Sequence, residues 1–178
     1  MKNFLALLAA LVLALSISAQ KQSSTIDPGT PVSFAAPDMS GQPVDMAALK
    51  GKVVVINLWF INCVNCIEEI KALNSLVDEN KANKDIVFLG LAASRKPDLE
   101  KFLVKNPFKY QIVPNAQLII LSKFGVPDQG GNINVPFPMH FVVDREGKVI
   151  TKAQGIKGID VVKDELKKQF SSKPAKSE

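Results

Sequence analysis

The stretch KVVVINLWFINCVNC, residues 52–66, decides how the chain is read. Its first part, VVVINLW, is almost entirely apolar and rich in β-branched residues, as expected of a central strand covered on both faces. Cys63 and Cys66 then stand three positions apart, where the pattern turns helical, and they are the only cysteines in the chain. A buried strand running into a helix places Cys63 at the helix N-terminus, where unpaired N–H groups and the positive dipole end favour a thiolate. Cys66 falls one turn further in, on the same face.

Four uses of such a pair are open. Structural zinc asks for about four ligands, and beyond the two sulfurs the chain offers one histidine, His140. A purely structural bridge over so short a loop removes little unfolded-state entropy. A soft Cu(I) site could recruit Met139 or His140, although strand alternation after Pro138 sends His140 to the other sheet face, away from the cysteines. Reversible thiol–disulfide exchange fits best, because a resolving partner held one turn away reopens or closes the bridge without leaving.

The helix starting at Cys63 is expected to run to about Asn80, with Cys66, Ile70, Leu73 and Val77 along one stripe. Glu69 falls on that apolar side and is expected to trade a proton with Cys66. The alternative is that it bends out to solvent from the stripe edge.

Around this segment the pattern is that of one α/β domain. PVSFAAPDMSGQPVDMAALKG, residues 31–51, reads as a hairpin about Ser40–Gly41 and a helical turn at 46–49. Residues 85–93 read as a second buried strand, 97–106 as a helix headed by Pro97, and 109–114 as a short strand. A helix over 115–125 stops at Gly125, 127–136 is a loop, and 139–155 is a hairpin about 144–147. An amphipathic helix over 158–170 closes the domain. The expected architecture is a three-layer sandwich, a central mixed sheet with helices on both faces and an N-terminal β-hairpin extension.

Residues 1–19 carry Lys2, an apolar run from Phe4 to Ile17 and small residues at Ser16, Ser18 and Ala19. This is the pattern of a cleaved signal peptide, and the run is shorter than the roughly 20 residues a membrane span needs. Retention as an anchor is the alternative. Residues 20–28 are expected to be a flexible lead-in, 29–170 the domain, and 171–178 a disordered tail. The chain would then be exported, to the periplasm or cell envelope, where a disulfide is chemically allowed. The formal net charge of +5 is spread along the chain, with no basic–aromatic patch of the kind nucleic-acid binders use.

Taken together, the leader, GKVVVINLWF before CVNC, Glu69 three residues on, and PFPMHFVVDREGKVI resemble the TlpA/ResA-like thiol–disulfide oxidoreductases of the thioredoxin superfamily. The resemblance covers roughly residues 29–170. It implies a Cys63 nucleophile, a resolving Cys66, proton handling by Glu69 and a cis proline at Pro138 facing the cysteines. It also implies substrate contacts from Trp59, Asn62 and Phe137. Protein substrates bearing thiols or disulfides and a membrane-embedded thiol donor follow, with no cofactor, no metal and no nucleic acid. With Val64 and Asn65 between the cysteines and no histidine there, a reductant is expected more than a strong oxidant, serving cytochrome c maturation or other exported proteins. Peroxiredoxins share the fold but place a threonine three residues before their reactive cysteine, and Phe60 stands there in this chain.

Overall fold

A computed structural model of the protein describes residues 26–171. The leader expected over 1–19, residues 20–25 of the lead-in and 172–178 of the tail lie outside the described residues.

Strand β3 (Val53–Trp59) is buried at all seven positions and forms the middle of a five-stranded sheet. On one side it pairs in parallel with β4 (Ile86–Ala92), which pairs in parallel with β5 (Gln111–Val113). On the other side it pairs antiparallel with β8 (Met139–Val143), which continues into β9 (Val149–Gln154). The order is β5-β4-β3-β8-β9. Alternation along β3 splits the core. Val54, Ile56 and Leu58 join Leu89, Leu91, Phe141 and Val143 on one face, beneath Ile120 and Phe124 of helix α4 (Gln117–Phe124). Val53 and Val55 face the other way with Val142. They pack against Leu73 and Leu76 of α2 (Ile70–Asn80) and Ile159, Val162 and Leu166 of α5 (Gly155–Ser171). Two helical layers on a mixed sheet are what the sequence pattern predicts.

The N-terminal hairpin, β1 (Ala35–Pro37) with β2 (Pro43–Asp45), is turned by Asp38. Its carboxylate accepts hydrogen bonds from Ser40 N at 2.8 Å, Gln42 N at 2.9 Å and Gln111 Nε2 at 2.8 Å, which also ties the hairpin to the edge of the sheet. Burial alone would raise the Asp38 pKa, but these donors hold it down at about 2.

Three expectations need correction. The helix from Cys63 to Asn80 is two segments, α1 (Val64–Glu68) and α2. Glu69 keeps helical angles (φ −79°, ψ −18°), yet its N–H turns to Ile67 O and the ladder breaks where its side chain points inward. The lead-in does not stay loose up to residue 28: Ile26 is buried in the core and Asp27 pairs with Lys152, since an apolar side chain next to the sheet gains by leaving water. The 127–136 loop contains a small ladder between β6 (Val126–Pro127) and β7 (Ile133–Asn134). It is organised by Asp128, which accepts from Gly130 N at 2.8 Å, Asn132 N at 2.9 Å and Asn134 Nδ2 at 3.0 Å.

Candidate active site

Cys63 caps α1 in an extended conformation (φ −89°, ψ 102°), and its Sγ accepts the Cys66 N–H at 3.2 Å. The two sulfurs are bonded at 2.06 Å, and among the described residues no cysteine is free. Both are shielded, Cys63 at 8 % and Cys66 at 2 % exposure. The adjoining surface is polar and apolar by turns: Asn62, Val64 and Asn65 are exposed. Phe60 and Phe137 pack beside the sulfurs and meet edge-on at 5.1 Å.

Pro138 follows a cis Phe137–Pro138 bond and is buried, and its carbonyl accepts Gly155 N at 3.2 Å. That bond ties the entrance of β8 to the start of α5. Trp59 corrects an expectation. It is 1 % exposed, stacked on Phe108 at 4.5 Å and tilted against Phe102 at 5.7 Å. Its place is the third core cluster, with the cysteines, Ala92, Leu99 and Ile112. Leu99 comes from helix α3 (Lys96–Lys105). An indole so enclosed belongs to the packing shared with the cysteines and presents no face to a substrate.

Glu69 points inward at 1 % exposure, and its Oε2 lies 3.2 Å from Nε2 of His140, itself wholly buried. The contact is at ion-pair distance without hydrogen-bond alignment, so both carboxylate oxygens remain unsatisfied acceptors. Alternation does separate Met139 from His140, but the helices bring Glu69 to the face that His140 occupies. Behind His140, Asn57 Nδ2 is 3.3 Å from Nδ1, and Tyr110 Oη donates to Asn57 Oδ1 at 3.2 Å. Burial, and then the Glu69 charge, push the Tyr110 hydroxyl well above the ordinary tyrosine range, so it stays a donor.

Sequence reasoning passed over Asn57 and weighed His140 only as a metal ligand, not as a partner of Glu69. A signal was there: Asn57 is the one polar side chain in an otherwise apolar buried strand, and such a group needs a partner. The register supplies it, since Asn57 stands opposite His140. Among the described residues no cluster of three or more His, Cys, Asp or Glu side chains could hold a metal. The bridged pair at a capped helix start, with the buried Glu69 one turn on, can close and open one disulfide.

Comparison with known proteins agrees with this chemistry. Thiol-disulfide oxidoreductase ResA of Bacillus thuringiensis subsp. konkukian is 27% identical over 136 residues, 76% of this chain and 73% of that protein. The thioredoxin domain of a thiol-disulfide oxidoreductase from Bacteroides vulgatus superposes with a TM-score of 0.65 at 21% identity, covering 80% of this chain and 99% of that one. A thiol:disulfide interchange protein from Bacteroides sp. gives a TM-score of 0.64 at 22% identity, over 86% and 95% of the two chains. A sequence model of the AhpC/TSA family matches residues 28–152, from the lead into the hairpin through the cysteines to β9, and the chain belongs to that family.

Proposed function

We propose that this thiol–disulfide oxidoreductase works in the cell envelope, as a reductant more than an oxidant, on exported proteins. Cys63 is the nucleophile, Cys66 resolves, Glu69 handles the proton, and Asn62, Phe137 and Pro138 border the path of the substrate chain. The observation that carries this reading is the bridged pair at the start of α1, with the Cys66 N–H aimed at the Cys63 sulfur. A donor so placed stabilises charge on Cys63 once the bridge is open.

The Cys63 thiolate attacks a substrate disulfide, a mixed disulfide forms, and the first substrate sulfur leaves with the electron pair and takes a proton from water. Cys66 then gives its proton to Glu69 and attacks Cys63, and the second substrate sulfur leaves. The substrate gains two electrons and the enzyme loses two, which a dithiol donor, proposed to be membrane-embedded, restores. The leader pattern over 1–19 supports export, and an apocytochrome c is a substrate of fitting chemistry. Phe60, edge-on to Phe137, offers no hydroxyl to a peroxide, which favours disulfide exchange over peroxide reduction.

Trapping tests the division of labour. With Cys66→Ser, mixed disulfides through Cys63 accumulate in the native envelope and appear on non-reducing gels after acid quench. Cys63→Ser traps little. Equal trapping by both variants refutes the assignment, and peroxide consumption with a thiol donor at rates matching disulfide exchange refutes the reaction class.

A further inference from the structure

Two buried polar side chains, His140 and Asn57, and the half-buried Tyr110 line up behind Glu69, and their hydrogen bonds give the line a direction. The Tyr110 hydroxyl donates to Asn57 Oδ1 at 3.2 Å, which leaves the Asn57 amide N–H to donate to His140 Nδ1 at 3.3 Å. With Nδ1 occupied as an acceptor, the neutral imidazole carries its proton on Nε2, 3.2 Å from Glu69 Oε2. Tyr110 passes a donor to Asn57 and Asn57 passes one to His140, whose Nε2 then lies at ion-pair distance from the carboxylate. A carboxylate charge taken out of water is costly unless a donor meets it, and in the oxidised form the imidazole stands at ion-pair distance from it without hydrogen-bond alignment.

The other oxygen, Oε1, looks toward the start of α5. A groove of about 380 Å³ opens there between Glu68 of α1 and Lys157 of α5, and a Cβ on Gly155 would sit 4.0 Å from Oε1. The titratable groups around the pair are thus Cys66 and Glu68 from α1, Lys157 from α5, and Tyr110 from the segment ahead of β5.

We propose that Tyr110, Asn57 and His140 form a one-way donor chain that keeps Glu69 ready to accept the Cys66 proton in the resolving step, with His140 as a positioning residue. The inference rests on Glu69 being that proton acceptor. In the resolving step the Cys66 S–H proton passes to the Glu69 carboxylate, the Cys66 sulfur bonds to the Cys63 sulfur, and the bond from Cys63 to the substrate sulfur breaks. Its electron pair leaves on the substrate. When a donor dithiol reduces the bridge, Cys66 departs as a thiolate and recovers the proton from Glu69. Only sulfur changes oxidation state.

An aromatic disulfide reagent that releases a coloured thiol separates the two steps on the reduced full chain. The first burst of colour reports attack by Cys63, the second reports resolution by Cys66. His140→Phe slows the second phase about tenfold at neutral pH and moves its midpoint up by about one pH unit, with the first phase unchanged. Tyr110→Phe, which deletes one oxygen and keeps the ring, shifts the second phase less in the same direction. His140→Gln, with an amide N–H in place of Nε2–H, restores most of the rate. If both phases slow alike at every pH, or the second midpoint stays put in His140→Phe and Tyr110→Phe, the donor chain is overturned. Glu69→Gln separates the two levels. If it leaves the second phase unaltered, Glu69 is not the acceptor. If it flattens the profile while the other variants do nothing, the chain alone is wrong.

Discussion

At Gly158 the backbone of α5 approaches two neighbours at once. An added Cβ would lie 3.0 Å from Ala153 Cβ, 3.2 Å from the Ala153 carbonyl carbon and 3.2 Å from His140 Cδ2. Glycine normally costs a helix about 1 kcal/mol relative to alanine, so its presence at a buried helical position marks a packing need. The flanking groups are a strand backbone and a wholly buried ring, and neither gives way easily. Gly158→Val is expected to destabilise by about 1–3 kcal/mol through overpacking, read as a lower urea midpoint, and to disturb the resolving step through His140. Residues of this scale were unevenly legible in the sequence. Cys63, Cys66 and Glu69 announce themselves by type and by one-turn spacing. Asn57 and His140 are 83 residues apart and acquire meaning only through the register of β3 on β8. Trp59 misleads because adjacency to the cysteines does not say which side of the strand end the ring takes.

Among the elements, the β1–β2 hairpin depends most visibly on one carboxylate. Asp38 holds the turn and, through Gln111, fastens it to β5, and those donors keep its pKa at about 2 against an ordinary 3.8. A carboxylate depressed on folding contributes stability above the unfolded value and loses it as pH falls through the folded one. The wild type is therefore expected to lose stability between about pH 4 and pH 2 through this residue, and Asp38→Asn should show a shallower acid slope in the same urea titrations. The strands and most helices were legible because apolar periodicity and Pro or Gly punctuation are local signals. The break between α1 and α2 was not, since no proline or glycine marks it. Gly125 does end α4 as read, though for another reason: its φ is −72°, and a Cβ there would lie 2.4 Å from Leu121 O and 2.2 Å from Ile133 Cγ2. Close approach selects glycine at this position.

The described residues are organised round one five-stranded sheet with a core on each face, and that layering followed from the order of buried strands and amphipathic helices. Ile56 at the centre is wholly buried, whereas Leu118 on α4 is 80 % exposed. Ile56→Ala should cost about 2–5 kcal/mol, and Leu118→Ala should stay within about 0.5 kcal/mol, a contrast that equilibrium unfolding reads directly. The third cluster, which unites Trp59 with the bridged cysteines, carries an optical consequence for the molecule as a whole. Trp59 is the only tryptophan in the chain, and an excited indole near a disulfide loses its energy to electron transfer into the S–S bond. Opening the bridge should therefore brighten the emission of a fluorophore already shielded from water. The protein then reports its own oxidation state in real time, without label, to anyone watching its ultraviolet glow.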